Sequence, residues 1–334
     1  SDVYKRQLKY RLPDAVERFK TNHAEEILFY EITQYFFFTQ YFELKTYAGT
    51  NGIKIIGDIP FYVQLESADV WSNPDIFRLG RDMTPVAVAG VPPDIFSEDG
   101  QLWGNPIYDW DFQKTNDYAW WRSRLIHNSK LYDVIRIDHF RAFADYYTIP
   151  YGSKTAKCGK WEKGVGMPFW NIMNKYVDAD IIAEDLGGNT PEVEKLIKET
   201  GFPNMKVLQF AFDSDLNNPF LPKNYDKNCV CYTGTHDNDT TGGWFLKLSQ
   251  KEKNMFSHIV PADESGSPIL SLISFAMKSK ARIVIIPLQD YLELDSASRL
   301  NTPGVPSGNW EWRLKKEDFD EKLLNTVKRL SEKR

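Results

Sequence analysis

Short apolar runs that end in acidic residues recur along the chain. The stretch 134–141 (VIRIDHFR) begins as an apolar, β-branched run and ends in a cluster of charge around Asp138. Such a run predicts a buried strand of a parallel sheet. The runs at 53–60 and 181–187 also end in acidic residues. A carboxylate at the end of a buried strand is costly unless it is paired or used, so each strand end is either a structural ion pair or part of a site.

Helical patterns separate these runs and complete an alternation of strands and helices. The predicted strands are 53–60, 134–141, 181–187, 207–212, 230–233 and 281–287. The predicted helices are 14–50, 115–130, 169–177, one that begins near 190, two between 240 and 279, and one from 317. The predicted apolar face of the first helix is formed by Leu28, Ile32, Tyr35, Phe36, Phe42 and Leu44. Uniformly apolar strands that alternate with helices predict an α/β fold whose parallel sheet is covered on both faces.

Polar residues gather at the carboxyl ends of four of these strands, at Asp58, Asp138, Glu184 and Asp237. A (β/α)8 barrel carries its active site at this end of its strands. An open doubly wound sheet usually has a glycine-rich phosphate loop after its first strand, and this sequence has none. Six strands are two short of a closed barrel. We therefore predict a TIM-barrel fold with about six of eight strands, truncated on the N-terminal side.

Three segments lie outside the alternation. Residues 1–7 show no apolar pattern and are interpreted as a non-native remnant, which leaves 8–334 as the partial catalytic barrel. Residues 61–112 are rich in Pro, Gly, Asp and Trp, too long for an ordinary connection and too aromatic for disorder, so we predict a functional loop subdomain. Residues 150–166 contain four glycines and are predicted to be a loop.

Composition and charge argue against several classes of function. A net charge of −5 without Lys/Arg blocks argues against nucleic-acid binding, and no apolar run is long enough to span a membrane. Three cysteines cannot all pair, and a bridge between Cys229 and Cys231 would be strained, so reduced, buried thiols in a cytoplasmic protein are expected. The histidines show no zinc-ligand spacing. The sequence does not predict an oligomeric state.

Asp138, Glu184 and Asp237 point into one cleft if their strands are neighbours. Like charges at low dielectric push pKa values apart, so that one carboxyl group is protonated while another is ionised. Retaining glycoside chemistry needs such a pair at roughly 5–5.5 Å. Two alternatives remain open: a set of buried ion pairs and capped turns, or an octahedral magnesium site built from Asp58, Asp138 and Glu184.

Ordered motifs carry a resemblance to a known family. They are GDIP at 57–60, GVPPD at 90–94, WGNP at 103–106, RIDHFR at 136–141, AEDLG at 183–187 and THDNDT at 235–240. Together they resemble the amylomaltases, the 4-α-glucanotransferases of glycoside hydrolase family 77. The resemblance runs from about residue 27 to the GNWEWR segment at 308–313. Family members have a further N-terminal portion with the first two barrel strands.

The resemblance implies a role for each matched residue. Asp138 would be the nucleophile, Glu184 the general acid/base, and Asp237 the residue that binds sugar hydroxyls and stabilises the transition state. The implied substrate-binding residues are Arg136, His139, His236, Asn309, Asp94, Trp103 and Phe210. No metal or organic cofactor is implied. The implied partners are α-1,4-glucans and maltooligosaccharides, with glucose as an acceptor.

The expected function is transfer of a glycosyl group from Asp138 to another glucan, with 61–112 covering the substrate. An α-amylase-type hydrolase is the enzyme alternative, but it usually has calcium and a histidine after the third strand, which 58–63 lacks. A non-catalytic glucan-binding protein is the other alternative. It would be expected to have lost one of the three carboxylates, and all three are present.

Overall fold

The computed structural model describes residues 2–93, 97–188, 190–212, 215–305 and 307–334, with side chains described from residue 5 onward. Two compact units divide the chain, Ser1–Thr200 and Gly201–Arg334. Helices of the first unit are α1 (Asp2–Lys9), α2 (Pro13–Asn22), α3 (Ala24–Thr50), α4 (Ala68–Ser72), α5 (Trp110–Lys114), α6 (Ala119–Leu131), α7 (Gly166–Met173) and α8 (Pro191–Thr200). Its strands are β1 (Ile56–Ile59), β2 (Ala87–Val91), β3 (Gln101–Pro106), β4 (Val134–Ile137), β5 (Asp145–Pro150), β6 (Lys160–Lys163) and β7 (Asp180–Ala183).

The predicted parallel strands β1, β4 and β7 are neighbours in the first unit. Ile59 pairs with Ile137, which in turn pairs with Ala183. One residue further on, the backbone N–H of Asp138 donates to Ile59 at 3.0 Å, and that of Glu184 donates to Ile137 at 3.1 Å. Strand β4 is buried along its whole length, as its uniformly apolar sequence predicts. The register therefore brings two predicted site residues side by side at the carboxyl ends of adjacent strands.

The segment 61–112 has more regular structure than the sequence predicted. Strands β2 and β3 pair antiparallel, β2 also pairs with β5, and β5 pairs with β6. The glycine-rich stretch 150–166, predicted to be a loop, therefore contributes to a four-stranded antiparallel sheet. Glycine is required at Gly90 in β2, where a Cβ would lie 2.1 Å from the carbonyl oxygen of Gln101.

Several aromatic residues of 61–112 form a buried core. Phe61 and Tyr108 are both at most 1% exposed, and their ring centroids lie 5.6 Å apart in an edge-to-face contact. Phe61 also contacts Trp121 of α6 at 5.4 Å. These rings anchor the segment to the helices and strands of the first unit.

The predicted helix 14–50 is broken at His23 into α2 and α3, and its predicted apolar face was wrong. Leu28, Ile32, Tyr35, Phe36, Phe42 and Leu44 are all exposed. The stripe that faces the rest of the unit contains Phe38, Tyr41 and Lys45 instead. Tyr41 donates to the carbonyl of Leu131 at 2.7 Å, and Lys45 donates to that of Lys130 at 3.0 Å. The helix is apolar on most sides, so its sequence pattern did not identify the contacting face.

The segment 1–7, predicted to lie outside the fold, falls largely within helix α1. The indole N–H of Trp71 donates to the carbonyl of Leu8 at 3.0 Å, and Arg11 donates to the carbonyl of Trp71 at 2.7 Å. These bonds tie the end of α1 to α4. The interpretation of 1–7 as a non-native remnant stays a prediction.

The second unit contains the other three predicted parallel strands. They are β8 (Asn204–Val207), β9 (Cys229–Tyr232) and β10 (Ile283–Ile285), and β9 pairs with both of the others. The helices are α9 (Thr241–Lys247), α10 (Gln250–Ile259), α11 (Pro268–Met277), α12 (Leu288–Tyr291) and α13 (Glu321–Ser331). Between residues 240 and 279, three helices (α9, α10 and α11) lie where two were predicted. Strand β8 begins three residues earlier than expected. All six predicted strands are present and pair in parallel within their units, which confirms the α/β class.

The cysteines and the lack of a membrane-spanning run were also subjects of prediction. All three cysteines are free; Cys229 and Cys231 are buried, but Cys158 is exposed, so the expectation of buried thiols was wrong there. Across the described residues, no helix has the length and apolarity needed to cross a membrane.

Candidate active site

Arg136 holds two carboxylates together at the strand ends of the first unit. Its Nη1 donates to both oxygens of Asp58 at 2.6 Å and to Oδ1 of Asp138 at 3.1 Å. The guanidinium is buried, which would be costly for an unpaired charge. Burial lowers the pKa of Arg136, but the charges of Asp58 and Asp138 outweigh burial and raise the pKa above its usual range. Arg136 therefore stays charged and favours the ionised form of Asp138.

Glu184 lies beside Asp138 and has a different environment. Its Oε2 accepts the backbone N–H of His139 at 2.8 Å, and its Oε1 accepts that of Leu186 at 2.6 Å. Burial and the negative charge of Asp138 raise the pKa of Glu184 to about 7, against the opposing effects of Arg136 and the two N–H donors. A carboxyl group with this pKa can both donate and accept a proton at neutral pH.

His139 follows Asp138 directly and has a left-handed backbone conformation, with φ of 53°. Burial and the charge of Arg141 lower the pKa of His139 to about 3, so its imidazole is neutral at physiological pH. The ring of Trp103 lies 4.9 Å away in an edge-to-face contact, and that of Tyr62 lies 6.2 Å away. A neutral imidazole between aromatic rings can exchange hydrogen bonds with a sugar hydroxyl.

A cavity of about 530 Å³ lies over these residues within the first unit. Its lining includes Tyr62, Gln64, Trp103, Asn105, Asp138 and His139. Aromatic surfaces beside a few convergent polar groups are typical of small-molecule sites. The cavity therefore places Trp103, predicted on the covering loop, in the same site as the predicted nucleophile.

Asp237 lies in a polar cluster of the second unit. Asn301 donates to its Oδ1 at 2.5 Å, and Arg299 donates to its backbone carbonyl at 2.6 Å. His236 Nε2 is 3.4 Å from its Oδ2, and the His236 ring lies 5.3 Å from that of Trp310. Asp237 is thus held in place by a neighbouring loop while its side chain stays 40% exposed.

The other predicted binding residues differ in their environments. Asn309 uses both ends of its amide within its own loop, accepting from the N–H of Thr302 at 2.9 Å and donating to the carbonyl of Val305 at 2.8 Å. Phe210 ends a short 3₁₀ turn and is 38% exposed, with Phe220 at 5.4 Å. Asp94 lies outside the described residues.

Sequence reasoning missed the residues that position the site. Asp58 was recognised as a strand-end acid, but not as the main partner of Arg136. Asn301 and Arg299 lie more than 60 positions from Asp237, so no local pattern marks them. As for the magnesium alternative, no group of three or more His, Cys, Asp or Glu residues in the described part of the chain could hold a metal ion.

Parallel strands that alternate with helices and carry polar residues at their carboxyl ends are typical of α/β barrel enzymes. Comparison with known families gives the particular member of that class. The family model described as 4-alpha-glucanotransferase, glycoside hydrolase family 77, matches residues 1–318, and the chain belongs to this family. This confirms the resemblance seen in the sequence motifs.

Individual relatives agree with this assignment. The 4-alpha-glucanotransferase of Clostridium butyricum is 45% identical over 98% of this chain and 68% of its own length. That of Thermus thermophilus is 46% identical over 92% of this chain and 63% of its own length. A potato relative, named chloroplastic/amyloplastic, is 43% identical over 97% of this chain and 56% of its own length, and the cytoplasmic location stays a prediction.

A solved structure confirms the fold class. The amylomaltase from Streptococcus agalactiae in complex with acarbose has a TM-score of 0.93 and 39% identity, covering 97% of this chain and 66% of that one. The amylomaltase from Corynebacterium glutamicum has a TM-score of 0.75 at 17% identity and shows the fold alone. The chain thus has an amylomaltase-type TIM-barrel fold with six of the barrel strands, and it spans 54% to 68% of the length of these relatives.

Proposed function

We propose that this chain carries a 4-alpha-glucanotransferase site that transfers α-1,4-glucan segments between maltooligosaccharides. The observation that carries the proposal is the pairing of Asp138, beside the buried cation of Arg136, with Glu184, whose pKa is raised to about 7. Family membership supports the reaction, and a similar solved amylomaltase in complex with acarbose supports an α-glucan substrate.

In the proposed mechanism Asp138 is the nucleophile. Its carboxylate attacks the anomeric carbon of the donor, while the glycosidic oxygen leaves with the proton of Glu184. The product of this step is a covalent glycosyl–Asp138 intermediate and an ionised Glu184. Glu184 then takes the proton from the 4-hydroxyl of an acceptor glucan, whose oxygen displaces Asp138. The new glycosidic bond retains the original configuration because the anomeric carbon is inverted twice.

The remaining residues are proposed to bind substrate and stabilise charge. Asp237 would bind sugar hydroxyls and stabilise the transition state. Neutral His139 can hold a hydroxyl without adding positive charge beside the nucleophile. The other proposed binding residues are Arg136, His236, Asn309, Asp94, Trp103 and Phe210. Glucose is proposed as one acceptor.

Transfer requires that water be kept from the glycosyl intermediate until an acceptor arrives. Trp103 is the best-placed cover, because its ring contacts His139 and lines the same cavity as Asp138. Trimming 61–112 is a poor test, since β2 and β3 belong to a four-stranded sheet. Trp103→Ala should instead raise the ratio of hydrolysis to transfer. Phe112→Ala is the control, an exposed aromatic on α5 outside the cavity; equal ratios for both variants would exclude this role of Trp103.

Incubation with maltotriose tests the proposed function. We expect glucose together with a ladder of longer maltooligosaccharides, both abolished in a folded Asp138→Asn variant. Glucose and maltose without longer products would favour the hydrolase alternative. Calorimetric binding of maltoheptaose without any turnover would favour the non-catalytic binding protein.

A further inference from the structure

A second cavity, of about 560 Å³, lies in the first unit beside α1 and α4. Its lining includes Lys9, Arg11, Glu66, Ser67, Trp71 and Tyr151. Among the described residues, none of the proposed catalytic or substrate-binding residues lines it. Apart from Ser67, its lining is therefore distinct from that of the candidate active site.

Two aromatic side chains present their surfaces at this cavity. Trp71 is 43% exposed and Tyr151 is 51% exposed. Trp71 is also held in position, because its indole N–H donates to Leu8 at 3.0 Å and its carbonyl accepts from Arg11 at 2.7 Å. A fixed, half-exposed ring is a suitable surface for the apolar face of a glucose unit.

Charged groups of both signs accompany the rings. Lys9 and Glu66 line the cavity with charges of opposite sign. Arg11 uses one N–H for Trp71 and keeps further donors. The carboxylate of Glu66 disfavours an anionic ligand here. Donors and an acceptor around aromatic surfaces suit a neutral polyhydroxyl ligand.

The cavity shares a wall with the candidate active site. Ser67 lines both cavities, and the residues on either side of it, from Gln64 to Asp69, line one or the other. The Ser67 hydroxyl caps α4 by accepting the N–H of Val70 at 3.3 Å, which fixes this wall. A long polymer is therefore offered two binding surfaces that are separated by one short segment.

We propose that this cavity is an accessory site for α-1,4-glucan, in which glucose rings stack on Trp71 and Tyr151 and hydroxyls bind Glu66, Lys9 and Arg11. The identity of the ligand rests on the proposed function. The site contributes to the binding of long glucans, which reach both cavities. It contributes little to maltotriose, which fits in one.

Tyr151→Ala is the informative variant, because the side chain is half-exposed and removal leaves the backbone bonds of β5 in place. Tyr176→Ala is a matched control with the same residue type and an exposure of 50%, away from the cavity. Both substitutions are made in the Asp138→Asn background, so that binding is measured without turnover. Calorimetry then gives the Kd for linear amylose and for maltotriose.

We expect Tyr151→Ala to raise the Kd for amylose about tenfold, equivalent to about 1.4 kcal/mol, with no change for maltotriose. Tyr176→Ala should change neither. Equal amylose affinities in the two variants, with circular dichroism showing both folded, would overturn the proposal. Equal losses for amylose and maltotriose would overturn it as well, because they would place Tyr151 in the reacting site.

A second variant tests the same site through a polar residue, so that the test does not depend on the contribution of one aromatic ring. Glu66→Gln removes the charge but keeps the shape of the side chain. It should weaken amylose binding about threefold. We also expect that 0.1 M inorganic phosphate does not compete with amylose in this variant. Tighter phosphate binding together with unchanged amylose binding would identify an anion site instead. The proposed function is judged separately, by the maltotriose ladder of the unsubstituted protein. Tyr151-dependent amylose binding without a ladder would retain the accessory site and reject the transferase.

Discussion

Two glutamates of the first unit lie near arginines, but their pKa values are shifted in opposite directions. The pKa of Glu184, at the end of β7, is raised to about 7, whereas that of Glu162, on β6, is lowered to about 2. Burial raises the pKa of both. The pKa of Glu162 is nonetheless lowered, so its hydrogen bonds and neighbouring charges must outweigh burial there, whereas at Glu184 burial and a neighbouring negative charge prevail.

The arginine beside each glutamate is used differently. Arg78 donates to Glu162 at 2.7 Å, and its hydrogen bond and charge outweigh burial. Arg136 instead donates to Asp58 and Asp138. Glu184 accepts hydrogen bonds from two backbone N–H groups, and the charge of Arg136 only partly offsets burial and the repulsion of Asp138. The proposed acid/base group is the carboxyl whose nearby cation is bound to other carboxylates, whereas Glu162 is a carboxylate that its cation binds directly.

Replacement of Glu184 gives the largest expected effect. Glu184→Gln removes the proposed proton donor but keeps the side-chain size, so transfer from maltotriose should fall by about 10²- to 10⁴-fold. Glu162→Gln is the matched control and should keep most of the activity. Initial rates of glucose release measure both. A Glu184→Gln variant as active as the control would remove Glu184 from the mechanism.

The second prediction concerns the repulsion between Asp138 and Glu184. Asp138→Asn removes the negative charge that raises the pKa of Glu184, so this pKa should move below 7. Carbon-13 NMR of labelled glutamate measures the titration directly, without turnover. The pKa of Glu162 should stay the same in the same spectra. An unshifted Glu184 would mean that burial alone sets its acidity.

The acidity of Glu184 also predicts the pH dependence of the native reaction. In the proposed mechanism donor cleavage needs protonated Glu184, so kcat/KM should fall about tenfold per pH unit above pH 7. Initial rates with maltotriose between pH 6 and 9 measure this limb. A flat profile across this range would show that another group donates the proton.

The comparison also shows what the sequence could predict. Asp138 and Glu184 each follow an apolar run directly, so local pattern and the geometry of parallel strands placed both at one edge. Glu162 lies on a strand hidden in a glycine-rich stretch, and its partner Arg78 is 84 residues away. Such a pair exists only after the antiparallel sheet has formed, and no local periodicity encodes it.

Helix α3 shows a second limit of the pattern. Its helical character was predicted because apolar and helix-forming residues run through it. Its contacting face was not, because Phe36 and Phe38 look equally apolar in the sequence although only Phe38 is partly buried. Hydrophobic periodicity assigns a face when polar residues mark the opposite one, and the polar residues of α3 are spread around the whole helix.

The fourth prediction concerns stability around Glu162. Its pKa in the folded state is below the usual 4.5, so its contribution is present above pH 4.5 and is lost as the pH falls towards 2. Glu162→Gln should lower the free energy of unfolding by about 2 kcal/mol at pH 7, a figure reduced for the solvent access of Arg78. It should also flatten the pH dependence between 4.5 and 2. Urea unfolding at pH 7 and pH 3 measures both, and an equal loss at the two pH values would contradict the ion-pair account.

The smallest expected effect comes from replacing Lys160, which is the more exposed of the two cations near Glu162. Lys160 Nζ lies 3.4 Å from Oε1, but the side chain is 76% exposed, whereas that of Arg78 is 34% exposed and donates at 2.7 Å. A solvated ammonium gains little from such a pair, so Lys160→Ala should change the free energy of unfolding by less than about 0.5 kcal/mol at pH 7. Arg78→Met, measured by the same urea titration, should cost more than Lys160→Ala because it leaves a largely buried carboxylate without its main donor. Equal losses would mean that Glu162 is stabilised by general positive charge, and the contrast with Glu184 would then depend on burial and the repulsion of Asp138.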